Sequence, residues 1–121
     1  MGRQLAKAVF ELTARFPPEE KYGLTAQLRR SAVSVPSNIA EGWGRQSDGA
    51  FANALKITRG SLNEIETQLV LAEDFGYVDA SQVDPLYQQI EALGRKLFNL
   101  TERLGGRYVK EEEASYGSSN P

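Results

Sequence analysis

The stretch YGLTAQLRRSAVSVPSNIAEGWG, residues 22–44, decides the fold. Its apolar residues recur at helical spacing and predict an amphipathic helix. They are Leu24, Leu28, Ala32, Val35 and Ile39. Pro36 leaves two alternatives, because proline removes one helical hydrogen bond and crowds the preceding turn. Either the helix kinks at Pro36 and runs on to Glu41, or it ends near Ser34. The step from Val35 to Ile39 stays in phase and favours the kinked helix.

The chain before this stretch predicts a shorter first helix over residues 3–16. Its apolar residues are separated by steps of four, three and four positions. Pro17 and Pro18 end it, because a residue that precedes proline avoids the helical conformation. Glu19 and Glu20 then begin the second helix, since acidic residues suit the positive end of the helix dipole.

After Gly42 and Gly44 end the second helix, Ser47 or Asp48 caps a third one. Its apolar residues alternate steps of four and three over about three heptads. They are Phe51, Leu55, Thr58, Leu62, Ile65, Leu69 and Ala72. Gly60 lies within this seam, where glycine costs about 1 kcal/mol relative to alanine. We therefore interpret the Gly60-Ser61 pair as the site of a close helix crossing, and Gly76 as the helix stop.

The fourth helix has the most regular apolar seam. Asp79 or Asp84 caps it, and Pro85 suits a first-turn position after Asp84. The seam comprises Val83, Leu86, Ile90, Leu93, Leu97, Leu100 and Leu104. The glycine pair at 105–106 ends the helix. We therefore predict one folded domain over residues 1–106, followed by a disordered acidic tail over residues 107–121.

Four helices with short connections predict an all-α fold, an up-down-up-down antiparallel four-helix bundle. At 1.5 Å per residue the third and fourth helices are about 40 and 30 Å long, and the first is about 20 Å. The first helix therefore cannot cover its neighbours completely, and part of their apolar surface is left for another subunit.

The composition argues against several kinds of chemistry. The chain has no cysteine and no histidine, which excludes disulfides, thiolate chemistry and an imidazole base. Glu41, Glu64 and Glu66 offer carboxylates, but di-iron bundles also need histidine. We therefore expect no metal, no cofactor and no enzymatic activity. The absence of an apolar run of about 18 residues and of a signal-peptide pattern indicates a cytoplasmic protein without membrane contact.

Because the chain has no net positive charge, binding to RNA or DNA would require a local basic patch. The chain carries 14 basic and 16 acidic residues, a net charge of −2, so it has no global attraction to phosphates. The candidate nucleic-acid-binding residues are Arg29, Arg30, Arg45, Lys56, Arg59, Arg95 and Lys96. Lys56 and Arg59 share a helix face, while Glu64 and Glu66 dilute the charge. The alternative is that these residues form ordinary solvated helix faces.

Arg29 and Arg30 are adjacent and point about 100° apart on a helix. One is expected to lie outward or at a subunit interface, and the other to turn inward to Glu41 or Glu64. Such an arginine–carboxylate pair would be bidentate and would fix the helix register. The predicted polar network comprises Arg29, Arg30, Asn38, Glu41, Glu64 and Gln68. Direct contact with phosphate is the alternative role of the two arginines.

Trp43 lies between two glycines at the predicted end of the second helix. It either closes the end of the bundle or a subunit interface, or it stacks on a base or anchors another partner.

Two stretches carry a resemblance to a known family. They are residues 22–45 and RGSLNEIETQLVLAEDFGYV, residues 59–78. The motifs are LRR at 28–30, PSNIAEG at 36–42, GSL at 60–62 with Glu64, and QL at 68–69. Over residues 5–105 the chain resembles the four-helix-bundle family of 23S rRNA intervening-sequence proteins. The accessory variability determinant of diversity-generating retroelements is a related member.

The resemblance implies a homopentamer in which five bundles form a barrel around a central channel. It also implies a non-catalytic adaptor associated with RNA, DNA or a ribonucleoprotein, and in retroelement members with a reverse transcriptase. The retroelement member is strongly basic, whereas this chain is near neutral. A protein-only interaction scaffold is the alternative function.

Overall fold

The computed structural model describes the backbone of residues 2–119 and the side chains of residues 2–105. In these ranges the regular structure is entirely helical, in agreement with the predicted fold class. The helices are α1 (Gly2–Thr13), a short 3-10 helix (Pro18–Glu20), α2 (Leu24–Gly44), α3 (Asp48–Asp74) and α4 (Ala80–Ser119).

The four α-helices form a bundle in which each contacts its two neighbours. Contacts join α1 to α2, α2 to α3, α3 to α4 and α4 to α1, and within the described part of the chain none join the diagonal pairs. Consecutive helices are antiparallel. Along α2 and α3, for example, Ser31 lies beside Glu64 whereas the later Gly42 lies beside the earlier Ala54.

One apolar stripe from each helix fills the core. The largest fully buried side chains are Leu5, Val9, Leu28, Val35, Leu55, Thr58, Ile65, Leu69 and Val83. Burial of an aliphatic side chain of this kind contributes about 1.5–3 kcal/mol relative to exposure. The hydroxyl of Thr58 is satisfied within its own helix, because Oγ1 donates to the carbonyl of Ala54 at 2.8 Å.

Side-chain caps fix where α3 and α4 begin. Ser47 Oγ accepts a hydrogen bond from the backbone N–H of Ala50 at 3.0 Å. Asp79 Oδ1 accepts from the N–H of Gln82 at 3.0 Å, and Gln82 Oε1 accepts from the N–H of Asp79 at 2.9 Å. This reciprocal pair is a capping box. It selects Asp79 over Asp84 as the cap and leaves Pro85 inside the helix.

Two predicted boundaries near the first loop are wrong. α1 ends at Thr13 rather than at residue 16, because the double proline forces the backbone before it to leave the helix. α2 begins at Leu24 rather than at Glu19. Glu20 instead belongs to the 3-10 turn, and its Oε1 accepts from the N–H of Leu24 at 3.1 Å. The carboxylate therefore caps α2 from outside the helix.

α2 continues through Pro36 to Gly44, so the alternative in which it ends near Ser34 is wrong. Gly2, at the start of α1, packs beside Pro36. A Cβ added at Gly2 would lie 3.5 Å from the Pro36 backbone. The last two turns of α2 therefore extend beyond the start of α1.

α4 runs through the glycine pair at 105–106, where the sequence predicts its end, and on to Ser119. A glycine inside a helix costs about 1 kcal/mol relative to alanine, which weakens the helix without prohibiting it. The side chains of residues 106–119 lie outside the described residues, as do residues 120–121. The predicted division of the chain at residue 106 therefore stays a prediction. Among the described helices, none is long and apolar enough to cross a lipid bilayer.

Candidate functional site

Arg30 and Ser34 of the quoted stretch meet polar residues of α3 on an outward surface, which we call the α2–α3 face (Arg30, Ser34, Ser61, Glu64 and Gln68). Ser34 Oγ and Ser61 Oγ are hydrogen-bonded at 2.8 Å. These small side chains let the helices approach closely, and the side chains of the face line a cleft of about 400 Å³. The close crossing predicted at Gly60-Ser61 thus involves Ser61. Gly60 itself faces open space, with no atom within 4 Å of an added Cβ.

Polar groups on the α2–α3 face are only partly satisfied inside the protomer. Ser31 Oγ donates to Glu64 Oε2 at 3.2 Å. Gln68 Oε1 is buried and, among the described residues, has no hydrogen-bond partner. Leaving such an acceptor unpaired costs about 1–3 kcal/mol. The face therefore holds one buried acceptor whose hydrogen bond is not made within the part of the chain that the structure describes.

Arg29 lies away from this face, between α1 and α2. Its Nε donates to Thr13 Oγ1 at 2.9 Å and its Nη2 to the carbonyl of Phe10 at 3.3 Å. The guanidinium also stacks over the Phe10 ring at 4.7 Å from the centroid. Arg29 and Arg30 thus diverge, as adjacent helix positions must. The groups that hold the inward arginine are a hydroxyl, a carbonyl and an aromatic ring rather than the predicted Glu41 or Glu64.

A second surface, the α3–α4 groove, is lined on both walls by charged and polar residues (Arg59, Asn63, Glu66, Glu91 and Arg95) and has a volume of about 430 Å³. The guanidinium of Arg59 lies 4.9 Å from the centre of the half-exposed Phe98 ring. Arg95 and Glu91 form an exposed ion pair at 3.5 Å, a geometry that contributes little to stability. The groove brings two predicted cationic residues together, with two carboxylates beside them.

The other predicted basic residues are distributed elsewhere. Arg45 lines a small cleft of about 150 Å³ with Asn38 and Glu41. Lys56 is exposed on α3 and Lys96 on α4. The seven candidate residues therefore lie on several surfaces of one protomer rather than on a single basic face.

The bundle end carries a third surface, which we call the Trp43 cleft (Trp43, Gly44, Gln46, Ser47 and Phe51). Trp43 is 72% exposed and makes a T-shaped contact with Phe51, with ring centroids 5.5 Å apart. The cleft has a volume of about 380 Å³, and Asp48 completes its lining. The heptad pattern predicts Phe51 as a core residue. In the structure Phe51 is half-buried: it packs against the core and also forms one wall of this cleft.

Two glutamate–tyrosine hydrogen bonds connect separate segments of the chain near the other end of the bundle. The Tyr77 hydroxyl donates to Glu20 Oε2 at 2.8 Å. The Leu24 N–H and, after it, this hydroxyl hold the pKa of Glu20 below its usual range. Burial and a hydrogen bond to Glu73 at 2.6 Å raise the pKa of the Tyr87 hydroxyl. These pairs connect segments that are distant in sequence, and apolar periodicity gives no signal for such polar contacts.

The acidic residues are dispersed. Glu64 bonds to Ser31 on the α2–α3 face, Glu66 lies in the α3–α4 groove, and Glu41 lies in the small cleft with Arg45. Across the described side chains no group of three or more acidic residues is placed to hold a metal ion.

These features define a small helical bundle whose candidate polar and aromatic residues lie on several of its outer surfaces. Residues 1–99 match the family described as 23S rRNA-intervening sequence protein. The chain belongs to this family, which confirms the resemblance noted in the sequence.

A solved structure has the same fold. It is the crystal structure of a protein with unknown function from the S23 ribosomal protein family of Bacteroides thetaiotaomicron. The TM-score is 0.73 at 21% sequence identity, and the match covers 83% of this chain and 94% of that one. At this identity the similarity establishes the fold alone.

Proposed function

We propose that the protein is a non-catalytic, cytoplasmic, self-associating adaptor for RNA or a ribonucleoprotein. The observation that carries the proposal is the α2–α3 face. Its motif residues lie at the surface rather than in the core, and the buried Gln68 Oε1 lacks a donor among the described residues. A second protomer packed on this cleft would bury its polar side chains and supply them with hydrogen-bond partners, and Gln68 would share in these bonds by turning its amide outward. A ring of five protomers, and retroelement partners such as a reverse transcriptase, follow from the family resemblance and belong to the proposal.

Association with RNA is supported by the name of the family and by the α3–α4 groove. Arg59 and Arg95 line one groove with the amide of Asn63, and arginine guanidinium groups suit bidentate contact with phosphate. Glu66 and Glu91 oppose phosphate at the same place, so the affinity of one protomer should be low. Self-association would repeat the pair around the assembly, and multivalency would raise the overall affinity.

A protein-only scaffold is the second candidate. The exposed apolar side chains favour it, because exposed apolar patches mark interaction surfaces. They include Ile57, Val70, Leu71 and Phe75. This candidate shares the self-association of the first and differs in predicting no affinity for RNA.

Two variants on different surfaces test the proposal. Arg30→Glu reverses a charge on the α2–α3 face. Arg15→Glu is the control, because it reverses an exposed charge in the turn that follows α1. We expect light scattering to give a mass above that of one protomer for the wild type and for Arg15→Glu, and a lower mass for Arg30→Glu. A wild-type mass equal to one protomer would contradict self-association.

The proposed association with RNA is tested by titrating a labelled structured RNA with the protein at low and near-physiological salt. Each phosphate contact contributes about −0.7 to −0.9 to the log–log salt slope. Removing both groove arginines with Arg59→Gln and Arg95→Gln should weaken binding and make the slope shallower. Absence of binding at low salt, where screening is weakest, would favour the protein-only scaffold.

A further inference from the structure

We propose that the Trp43 cleft binds an unpaired nucleobase of RNA by stacking. This inference rests on the RNA association proposed above and assigns it a site. It concerns the end of the bundle, at a distance along α3 from both the α2–α3 face and Arg59.

The first support is the position of the Trp43 ring. The ring is 72% exposed, although a tryptophan on an ordinary helix surface is usually largely buried. Its edge-to-face contact with Phe51 leaves most of the indole surface open. An open aromatic face on a protein surface is the group that single-stranded nucleic-acid binders use to stack a base.

The second support is that the ring is held on a rigid element. Trp43 belongs to the last turn of α2, and the preceding Gly42 packs directly against α3. A Cβ added at Gly42 would lie 2.4 Å from Ala54 Cβ. This contact fixes the end of α2, so the indole does not depend on a loop for its position.

The third support is the mixture of polar and apolar groups around the ring. Gln46, Ser47 and Asp48 line the cleft together with the two aromatic rings. A nucleobase has an aromatic face and a hydrogen-bonding edge, and this lining offers a match for both. An aliphatic anchor from a protein would leave the polar side of the cleft unused. The volume of about 380 Å³ is also within the usual range for small-ligand sites.

The charges around the cleft favour a single unpaired base over a duplex. Arg45 lines the neighbouring small cleft with Glu41 rather than the Trp43 cleft, whose described lining includes no cationic side chain. Glu41 and Asp48 lie close by and oppose a row of phosphates. A duplex would also hold its bases stacked between neighbours, out of reach of the indole.

The chain provides its own reporter, because Trp43 is its only tryptophan. We expect a short oligouridylate, which neither pairs nor stacks strongly on itself, to change the tryptophan emission in a saturable way. A blunt RNA duplex at the same nucleotide concentration should leave the emission nearly unchanged. An equal response to both RNAs would overturn the proposal.

Binding of labelled oligouridylate, followed by fluorescence anisotropy, tests the energetics. Loss of one base–aromatic stack should weaken binding of Trp43→Ala by about 5- to 150-fold, and Trp43→Phe should retain most of the affinity. Tyr22→Ala is the matched control, because Tyr22 is also highly exposed and lies beside a lysine at the opposite end of α2. Its affinity should equal that of the wild type.

The salt dependence separates stacking from charge. Trp43→Ala should keep the wild-type log–log slope, because loss of a stack removes no phosphate contact. A slope that becomes shallower by about 0.7, the value for one phosphate on a single strand, would contradict the stacking role.

Three outcomes distinguish failure of this inference from failure of the adaptor function. If the wild type binds RNA and Trp43→Ala binds equally well, the nucleobase site is wrong and the adaptor function stands. If Trp43→Ala lowers the mass of the assembly, Trp43 is a subunit contact and the nucleobase site is again wrong. If no RNA binds to the wild type at low salt, the RNA part of the adaptor function fails, and the site fails with it.

Discussion

Replacing Gly42 with alanine should separate α2 from α3 at the end of the bundle. The added Cβ would lie 2.4 Å from Ala54 Cβ and 3.2 Å from Phe51 Cδ1. Two carbon atoms in contact prefer about 3.5–4.0 Å. Ala54 Cβ is bonded directly to the α3 backbone, so no side-chain rotation relieves the overlap, and the two helices must move apart by about 1 Å.

The net effect is a difference between two terms. Overpacking costs about 1–3 kcal/mol, and this rigid contact should be near the top of that range. The higher helix propensity of alanine offsets about 1 kcal/mol. We therefore expect Gly42→Ala to lower the free energy of unfolding by about 2 kcal/mol. For a chain of this size that corresponds to a fall in Tm of about 8 °C.

The assay is thermal unfolding followed by far-UV circular dichroism, with Gly44→Ala as the matched control. Gly44 is in the same helical turn, and no atom lies within 4 Å of an added Cβ. Its substitution should be neutral or stabilising by about 0.5 kcal/mol. Ala54→Gly should restore stability in the Gly42→Ala background although it destabilises the wild type. Equal stability of Gly42→Ala and Gly44→Ala would refute the close approach of the helices.

Three further changes test other parts of the structure. Gly60→Ala should raise the free energy of unfolding by about 0.5–1 kcal/mol in a denaturant titration, because the new methyl group meets open space; a loss of stability would place a close contact there. Arg29→Lys should lower the same free energy by about 1–2 kcal/mol, because lysine lacks the guanidinium fork that reaches Thr13; an unchanged value would show that the fork is dispensable. The lowered pKa of Glu20 means that its contribution is present above the unfolded pKa of about 4.3 and is lost as the pH falls through the folded pKa. Glu20→Gln should therefore flatten the acid limb of the stability–pH curve, and a curve that superimposes on that of the wild type would refute the role of the Glu20 carboxylate, which accepts from Leu24 and Tyr77.

The helices were predictable because their apolar residues repeat at the helical period. The repeat continues through Pro36, so the long α2 was the favoured alternative, and the structure confirms its continuity. The boundary at Glu19 was wrong because two carboxylates near a helix start do not specify which one caps it. Glu20 acts from the preceding turn, through a hydrogen bond to Leu24.

The candidate surfaces were less predictable, because they depend on which sides of neighbouring helices meet. The sequence indicated that Arg29 and Arg30 point apart, but not that the inward one would contact Thr13 and Phe10. Those two residues are 16 and 19 positions away in sequence, and no periodicity links them. The exposure of Trp43 likewise depends on how the ends of neighbouring helices are staggered, which helical periodicity does not specify.

Sedimentation velocity of the protein with a labelled RNA at low salt tests the central claim most directly, because it reports self-association and RNA binding together. The account predicts a protein species heavier than the 13.4 kDa protomer, and RNA that sediments with it. Adding salt should release the RNA while the protein remains associated. Protein that sediments as a 13.4 kDa monomer, with the RNA moving separately at every salt concentration, would contradict the account.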